Sequence, residues 1–260
     1  MNILFIGDIV GEPGRRAIEG LLPGIKKAND IEFAIGNAEN VAGGSGVTPS
    51  LADELFDHGL DVITSGDHIW KRKEIIDRID ADRRILRPAN YPPGSPGAGS
   101  TVVRSESGID VGVINLAGRV FMSPLECPFR TATAEIDKIK NKTRIIIVDM
   151  HAEATSEKIA LGWYLDGKVS AIIGTHTHVQ TADEKVLPGG TAFLCDAGMT
   201  GPLDGVIGRK KEQILARFLT QMPMKFEMAE GDIQLQGAIV DIDDKTGRAN
   251  SIKRIQKKLA

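Results

Sequence analysis

The chain opens with a short apolar run over 2–7 (NILFIG) that stops at Asp8, the profile of a buried strand. Apolar residues then recur at helical spacing, at Ala17, Leu21, Leu22 and Ile25, before a second strand-like run over 32–36 (EFAIG). Residues 48–59 predict a helix: Thr48 is placed to cap it, Pro49 suits its first position and Gly59 supplies the stop. A strand over 61–65 (DVITS) and a helix over 71–79 follow. Alternation of strand and helix from the start is the mark of an α/β layer with parallel strands.

Pro and Gly interrupt this rhythm over 87–100, which predicts an irregular surface loop. Strand-like runs resume at 101–106, 109–116 and 144–151, so the reading is one domain spanning 1–260. The segment 117–132 between them reads as a connection able to cover a cleft. A helix over 155–166, strands over 169–174 and 191–195, and a helix near 209–221 come next. Two antiparallel strands, 234–243 and 251–259, close the chain. The pattern predicts about ten strands and five or six helices in a layered α/β fold.

Composition narrows the function classes. A 42% hydrophobic share gives a chain of this length a sizeable core. The net charge of −3 offers no electrostatic reason for a duplex nucleic-acid partner. Cys127 and Cys195 lie far apart, which argues for a reducing compartment and against a thiolate metal site. The N-terminal run lacks a basic flank and meets Asp8 early, so it reads as a strand and not a signal peptide. No apolar run is long enough to span a bilayer, and a cytoplasmic location is expected. The sequence is compatible with a homo-oligomer.

Ligands of α/β sheets bind beyond the carboxyl ends of the strands. Asp8 follows the first run, Glu39 and Asn40 the second, and Asp67 with His68 the third. His151 ends the run over 144–151, and His176 and His178 follow 169–174. Four of the five histidines therefore occupy one structural position in separate segments; His58, at a predicted helix end, suits the helix dipole instead. Each residue alone has an ordinary structural explanation, but the set does not. Imidazoles with carboxylates and no thiolate suit Mn, Fe or Zn. So many oxygen and nitrogen donors suit two ions sharing a carboxylate better than one ion with an open position. Phosphate-loop and serine-triad motifs fail on spacing: Gly7, Gly11 and Gly14 lack the dinucleotide offsets, and no G-x-S-x-G occurs.

In chain order these segments read GDIV, GNAEN, SGDH, DMHAE and GTHTH. The series resembles that of calcineurin-like metallophosphoesterases over nearly the whole chain. The GDIVGEPGR start and the GNAENVAGG turn are closest to the bacterial YmdB-like branch. The chain departs from the wider pattern at three positions. Val10 replaces the histidine of Asp-x-His, Glu39 replaces the bridging aspartate, and Asp67 stands where the family usually has Asn.

The resemblance implies a layered metallophosphoesterase sandwich, with mixed sheets flanked by helices. It implies Asp8, Glu39, Asn40 and His178 around one ion and Glu39, Asp67, His151 and His176 around the other. Iron is the metal the branch suggests, with Mn or Zn as alternatives. The implied activity is hydrolysis of 2′,3′-cyclic nucleotides to 3′-nucleotides by a water activated between the ions, with His68 as the acid for the leaving oxygen. Two other readings remain: a metal-bound regulatory or scaffold protein with residual hydrolysis, and a metal-dependent amidohydrolase. The latter would normally carry His-x-His at its first strand.

Overall fold

The computed structural model describes residues 1–260. The first part of the chain forms β1 (Asn2–Ile6), β2 (Asp8–Ile9), α1 (Gly11–Ala28), β3 (Ile31–Asn37), α2 (Pro49–Asp57), β4 (Val62–Thr64) and α3 (Ile75–Ala81). The middle forms β5 (Ser100–Arg104), β6 (Asp110–Ala117), α4 (Pro128–Ile139), β7 (Ile145–His151), α5 (Thr155–Leu165), β8 (Ala171–Thr175), β9 (Lys185–Val186) and β10 (Ala192–Leu194). The chain ends in β11 (Met199–Pro202), α6 (Lys211–Thr220), β12 (Ile233–Ile242) and β13 (Ala249–Lys258). No helix is long and apolar enough to cross a membrane.

Two mixed sheets result. One runs β2-β11-β12-β1-β3-β4, with β13 also paired to β12; the other runs β5-β6-β7-β8-β10-β9. Strands β1, β3 and β4 are parallel neighbours, as are β6, β7, β8 and β10. Successive side chains of a strand face opposite ways, and here both faces are apolar. Ile3 and Phe5 of β1, with Phe33 and Ile35 of β3, pack against Val111, Val113, Ile145 and Ile147 of the other sheet. Leu4 and Ile6 point away, into a second core with Ile18 and Leu22 of α1. Ile146 and Val148 of β7 do the same toward Ile136 of α4 and Leu161 of α5. The order of layers is therefore helix, sheet, sheet, helix. Each fully buried Phe or Ile contributes about 1.5–3 kcal/mol by leaving water.

Thr48 caps α2 as expected, accepting from the Leu51 N–H, and Gly59 stops the chain in the left-handed region at φ 105°. The closing antiparallel pair also forms, from Gln234↔Lys258 to Ile242↔Ala249. The helix expected over 71–79 is broken instead: a 3-10 turn covers Ile69–Lys71 and α3 starts only at Ile75. Arg72 between them is extended, and its Nη2 donates to the Ala42 carbonyl at 3.0 Å. The segment 117–132 also differs from its reading. Its last part is the start of α4, where Pro128 opens a helix and Ala132, Ile136 and Ile139 face the core. Before it, the Arg119 and Val120 N–H groups donate to Glu157 of α5, and the Glu126 N–H donates to the Asn90 carbonyl. The loop 87–100 carries the chain from one sheet to the other. Its buried Arg87 donates to the carbonyls of Pro88, Ser95 and Pro96 and so orders it from within.

Candidate metal centre

The carboxyl ends of β1, β3 and β4 in one sheet meet those of β7 and β8 in the other. Every candidate site residue singled out in the sequence arrives at that junction. Ligand atoms of Glu39, Asp67, His151 and His176 lie within 4.8 Å of one another, and so do those of Asp8, Glu39 and His178. Glu39 belongs to both groups. His151 Nε2 is 3.1 Å from Glu39 Oε2, 3.3 Å from Asp67 Oδ1 and 3.0 Å from His176 Nδ1. His178 Nε2 is 3.9 Å from Asp8 Oδ1.

Several features fit cations at this junction. Asp8 is fully buried, and its Oδ1 has no hydrogen-bond donor although Oδ2 accepts from the His176 N–H at 3.0 Å. A buried, unpartnered carboxylate oxygen is costly unless something positive faces it. Gly66 keeps space open between the two groups, because a Cβ there would collide with the His151 ring and with Glu39 Oε2. Asn40 turns its Nδ2 toward Glu39 Oε1 (2.8 Å) and His178 Nε2 (3.1 Å), while its Oδ1 meets His68 Nδ1 at 2.8 Å. Ligation by Asn40 therefore needs its amide turned over, with Oδ1 inward.

Protonation follows the same logic. Burial pushes the Asp8 carboxyl up to about 7, against the pull of His151. Burial would also raise Glu39, but the His151 and His68 imidazoles outweigh it and hold the carboxyl well below its usual range. His151 is the converse: burial disfavours its charge, yet Glu39 and Asp67 raise it well above an ordinary histidine. Burial lowers His176 and His178, which leaves both as neutral imidazoles suited to ligation.

Beneath these groups lies a polar network that the sequence did not reveal. His151 Nδ1 is 2.9 Å from Thr175 Oγ1, which donates to Asp149 Oδ1 at 2.7 Å. Thr64 Oγ1 and Asn37 Nδ2 donate to Asp149 Oδ2 at 2.5 and 3.0 Å. Thr175 must accept from His151 Nδ1–H, so Nε2 is the nitrogen that faces the carboxylates and supplies a lone pair for ligation once its proton leaves. Asp149, raised to about 6 by burial, sits in a run that reads as plain strand, so only its partners mark it.

The turn after β8 spreads the two neighbouring histidines, as their separation by two residues required. His176 has φ 100° and His178 φ 63°, left-handed values that cost a non-glycine residue about 1–3 kcal/mol. Asp196 holds this turn, accepting from Thr177 N–H at 3.1 Å and Thr177 Oγ1 at 2.8 Å. Its own charge is met by Lys158 Nζ at 2.7 Å, both side chains being buried. Neither residue carried a sequence signal. Glu153 did, standing two positions after His151, and its Oε2 is 3.2 Å from His176 Nε2.

His68 stands outside both donor groups but shares their cleft, a cavity of about 350 Å³. Its hydrogen bond to Glu39 is the largest influence raising its pKa, and its Nε2 lies 3.8 Å from Asp67 Oδ2. Neither cysteine belongs to a donor group: Cys195 is buried just after β10, and Cys127 precedes α4.

Over 255 residues the chain is 50% identical to the 2′,3′-cyclic-nucleotide 2′-phosphodiesterase of Bacillus subtilis (strain 168), covering 98% of this chain and 96% of that one. A solved structure of a hypothetical protein from Thermus thermophilus superposes with a TM-score of 0.92 at 39% identity, covering 99% of both chains. A phosphatase from Mycoplasma pneumoniae does so with the same TM-score of 0.92 at 32% identity, covering 99% of this chain and 93% of its own. Residues 4–255 match the model of the family described as YmdB-like protein, to which this chain belongs.

Proposed function

We propose that the protein is a metal-dependent phosphodiesterase that opens 2′,3′-cyclic nucleotides at the 2′ ester to give 3′-nucleotides. The observation that carries this reading is the sharing of Glu39 between two adjacent donor groups. The name of the Bacillus subtilis relative supports the substrate class. Asp8, Glu39, Asn40 and His178 would hold one ion, and Glu39, Asp67, His151 and His176 the other. Iron is our first assignment, with Mn or Zn as alternatives. Two such ions, when bound, supply Lewis acidity toward the phosphoryl oxygens and lower the pKa of water.

The residues of the chain do the rest. In the reaction the P–O2′ bond breaks, a water oxygen joins phosphorus and O2′ takes a proton. His68 is the donor of that proton. Glu39 Oε1 lies 3.4 Å from its Nδ1, so Nε2 is the nitrogen free to face a leaving group. A scaffold role would not call for this histidine, since it belongs to neither donor group. We also place the protein in the cytoplasm, where its two free thiols stay reduced. The test is metal analysis of the purified protein coupled to hydrolysis of 2′,3′-cyclic AMP, with products separated by chromatography. Release of 3′-AMP by protein holding about two ions per chain is expected. Fully loaded protein that leaves the cyclic nucleotide intact would overturn the reading.

A further inference from the structure

Arg209 is the one permanently cationic side chain lining the cleft that Glu39, His68, His176 and His178 share. The turn that delivers it also serves the site. Ile207 in that turn has φ 44° and Gly208 φ 84°, and the Ile207 carbonyl lies 3.3 Å from His178 Nδ1. Burial alone lowers the pKa of Arg209, because no carboxylate stands near enough to oppose it. Its Nη2 donates to the Gly44 carbonyl at 2.9 Å, and its Nη1 reaches the Gly43 carbonyl at 3.4 Å and Met228 Sδ at 3.3 Å. Gly44 must lack a side chain for this, since a Cβ would collide with Nη2. The guanidinium is thus fixed in direction. Of its five N–H groups, three are used in this way, and the Nε–H and one Nη2–H have no protein acceptor.

A half-buried guanidinium without a counter-ion, held at the wall of an otherwise acidic cleft, lacks an anionic partner. We propose that Arg209 binds a non-bridging oxygen of the substrate's phosphoryl group through those two N–H groups, and that it binds the phosphoryl group of the product in the same way. This rests on the phosphoesterase reading above. The rival explanation is that Arg209 only clamps the turn after Asn40. Arg72 provides the control for it, because Arg72 Nη2 donates to Ala42 O of the same turn at 3.0 Å while Arg72 does not line the cleft.

The experiment compares metal-loaded wild type, R209A, R209K and R72A. Calorimetry gives the affinity of each for inorganic phosphate, kinetics gives KM and kcat for 2′,3′-cyclic AMP, and mass spectrometry counts the metal. R209A is expected to bind phosphate about 10- to 100-fold more weakly, the size of a lost charge-assisted hydrogen bond. KM should rise with it, metal content should hold, and free guanidinium should restore part of the loss. R209K should fall between R209A and wild type, and R72A should bind phosphate as wild type does. Unchanged phosphate affinity in R209A, an equal loss in R72A, or loss of metal in both Arg209 variants would each overturn the proposal. Phosphate affinity needs no turnover. A wild type that binds phosphate through Arg209 but leaves cyclic nucleotides intact would refute the diesterase reading and not this one.

Discussion

Glu153 Oε2 lies 3.2 Å from Nε2 of His176, whose Nδ1 faces His151 Nε2 at 3.0 Å. The carboxylate thus fixes the proton of His176 on Nε2 and leaves the Nδ1 lone pair facing His151 Nε2 and the cluster of ligand atoms that includes Asp67 and Glu39. Outer partners of this kind typically affect metal affinity about 10–100-fold. Glu153→Ala is expected to weaken the second ion by roughly that factor, with the first ion retained. Glu153→Gln keeps an oxygen that accepts from Nε2–H and should lie in between. Metal titration of the apoprotein checks this, and equal affinity in all three proteins would remove Glu153 from the support of the site.

The candidate ligands could be read from sequence because each follows a strand, and a parallel sheet gathers its strand ends on one edge. Their support could not. Asp149 is hidden within an apolar run, and Asp196 and Lys158 meet across 38 positions of sequence. Long-range pairing also explains the broken helix at Arg72, since a bond to Ala42 draws the backbone out of helical geometry. The missed α4 is different. Pro128 and the spacing of Ala132, Ile136 and Ile139 were visible, but the polar-apolar stretch before them suggested a loop.

Protons and cations compete for the same atoms here. Asp8 titrates at about 7, raised by burial, so its carboxyl is largely protonated at pH 6 in metal-free protein. His151 is raised well above 6.5 by Glu39 and Asp67 once the cost of burial is overcome, so it too is protonated at pH 6. Both protons must leave when cations enter, and affinity should therefore fall as pH falls. Calorimetric titration at pH 6 in buffers of different ionisation enthalpy should show about two protons released as both groups fill. Release of none would mean that Asp8 and His151 are not displaced by metal.

Lys158 and Asp196 make a buried ion pair that also holds the turn bearing both candidate histidines. Lys158→Met leaves Asp196 without its cation. Breaking a buried pair from one side costs about 3–5 kcal/mol, read as a lower denaturation midpoint. Metal affinity should fall with it, because the left-handed backbone at His176 and His178 depends on Asp196 for its order. A variant that keeps both midpoint and metal affinity would show that the turn holds without the pair.

His68 offers the clearest separation of chemistry from structure. Its ring meets Asn40 and Glu39 yet lies in neither donor group, and its pKa is raised first by the hydrogen bond to Glu39. The shift favours the acid form, as a proton donor requires. His68→Ala is expected to lower turnover of 2′,3′-cyclic AMP by roughly 10²–10⁴-fold. A nitrophenyl phosphodiester, whose leaving group departs without a proton, should lose much less. Metal content should match wild type. The pH–rate profile adds a sign: activity needing protonated His68 falls as pH rises through its raised pKa, and that limb should vanish in the variant. Equal losses on both substrates, or loss of an ion, would instead make His68 a support of the metal site, acting through its contact with Asn40.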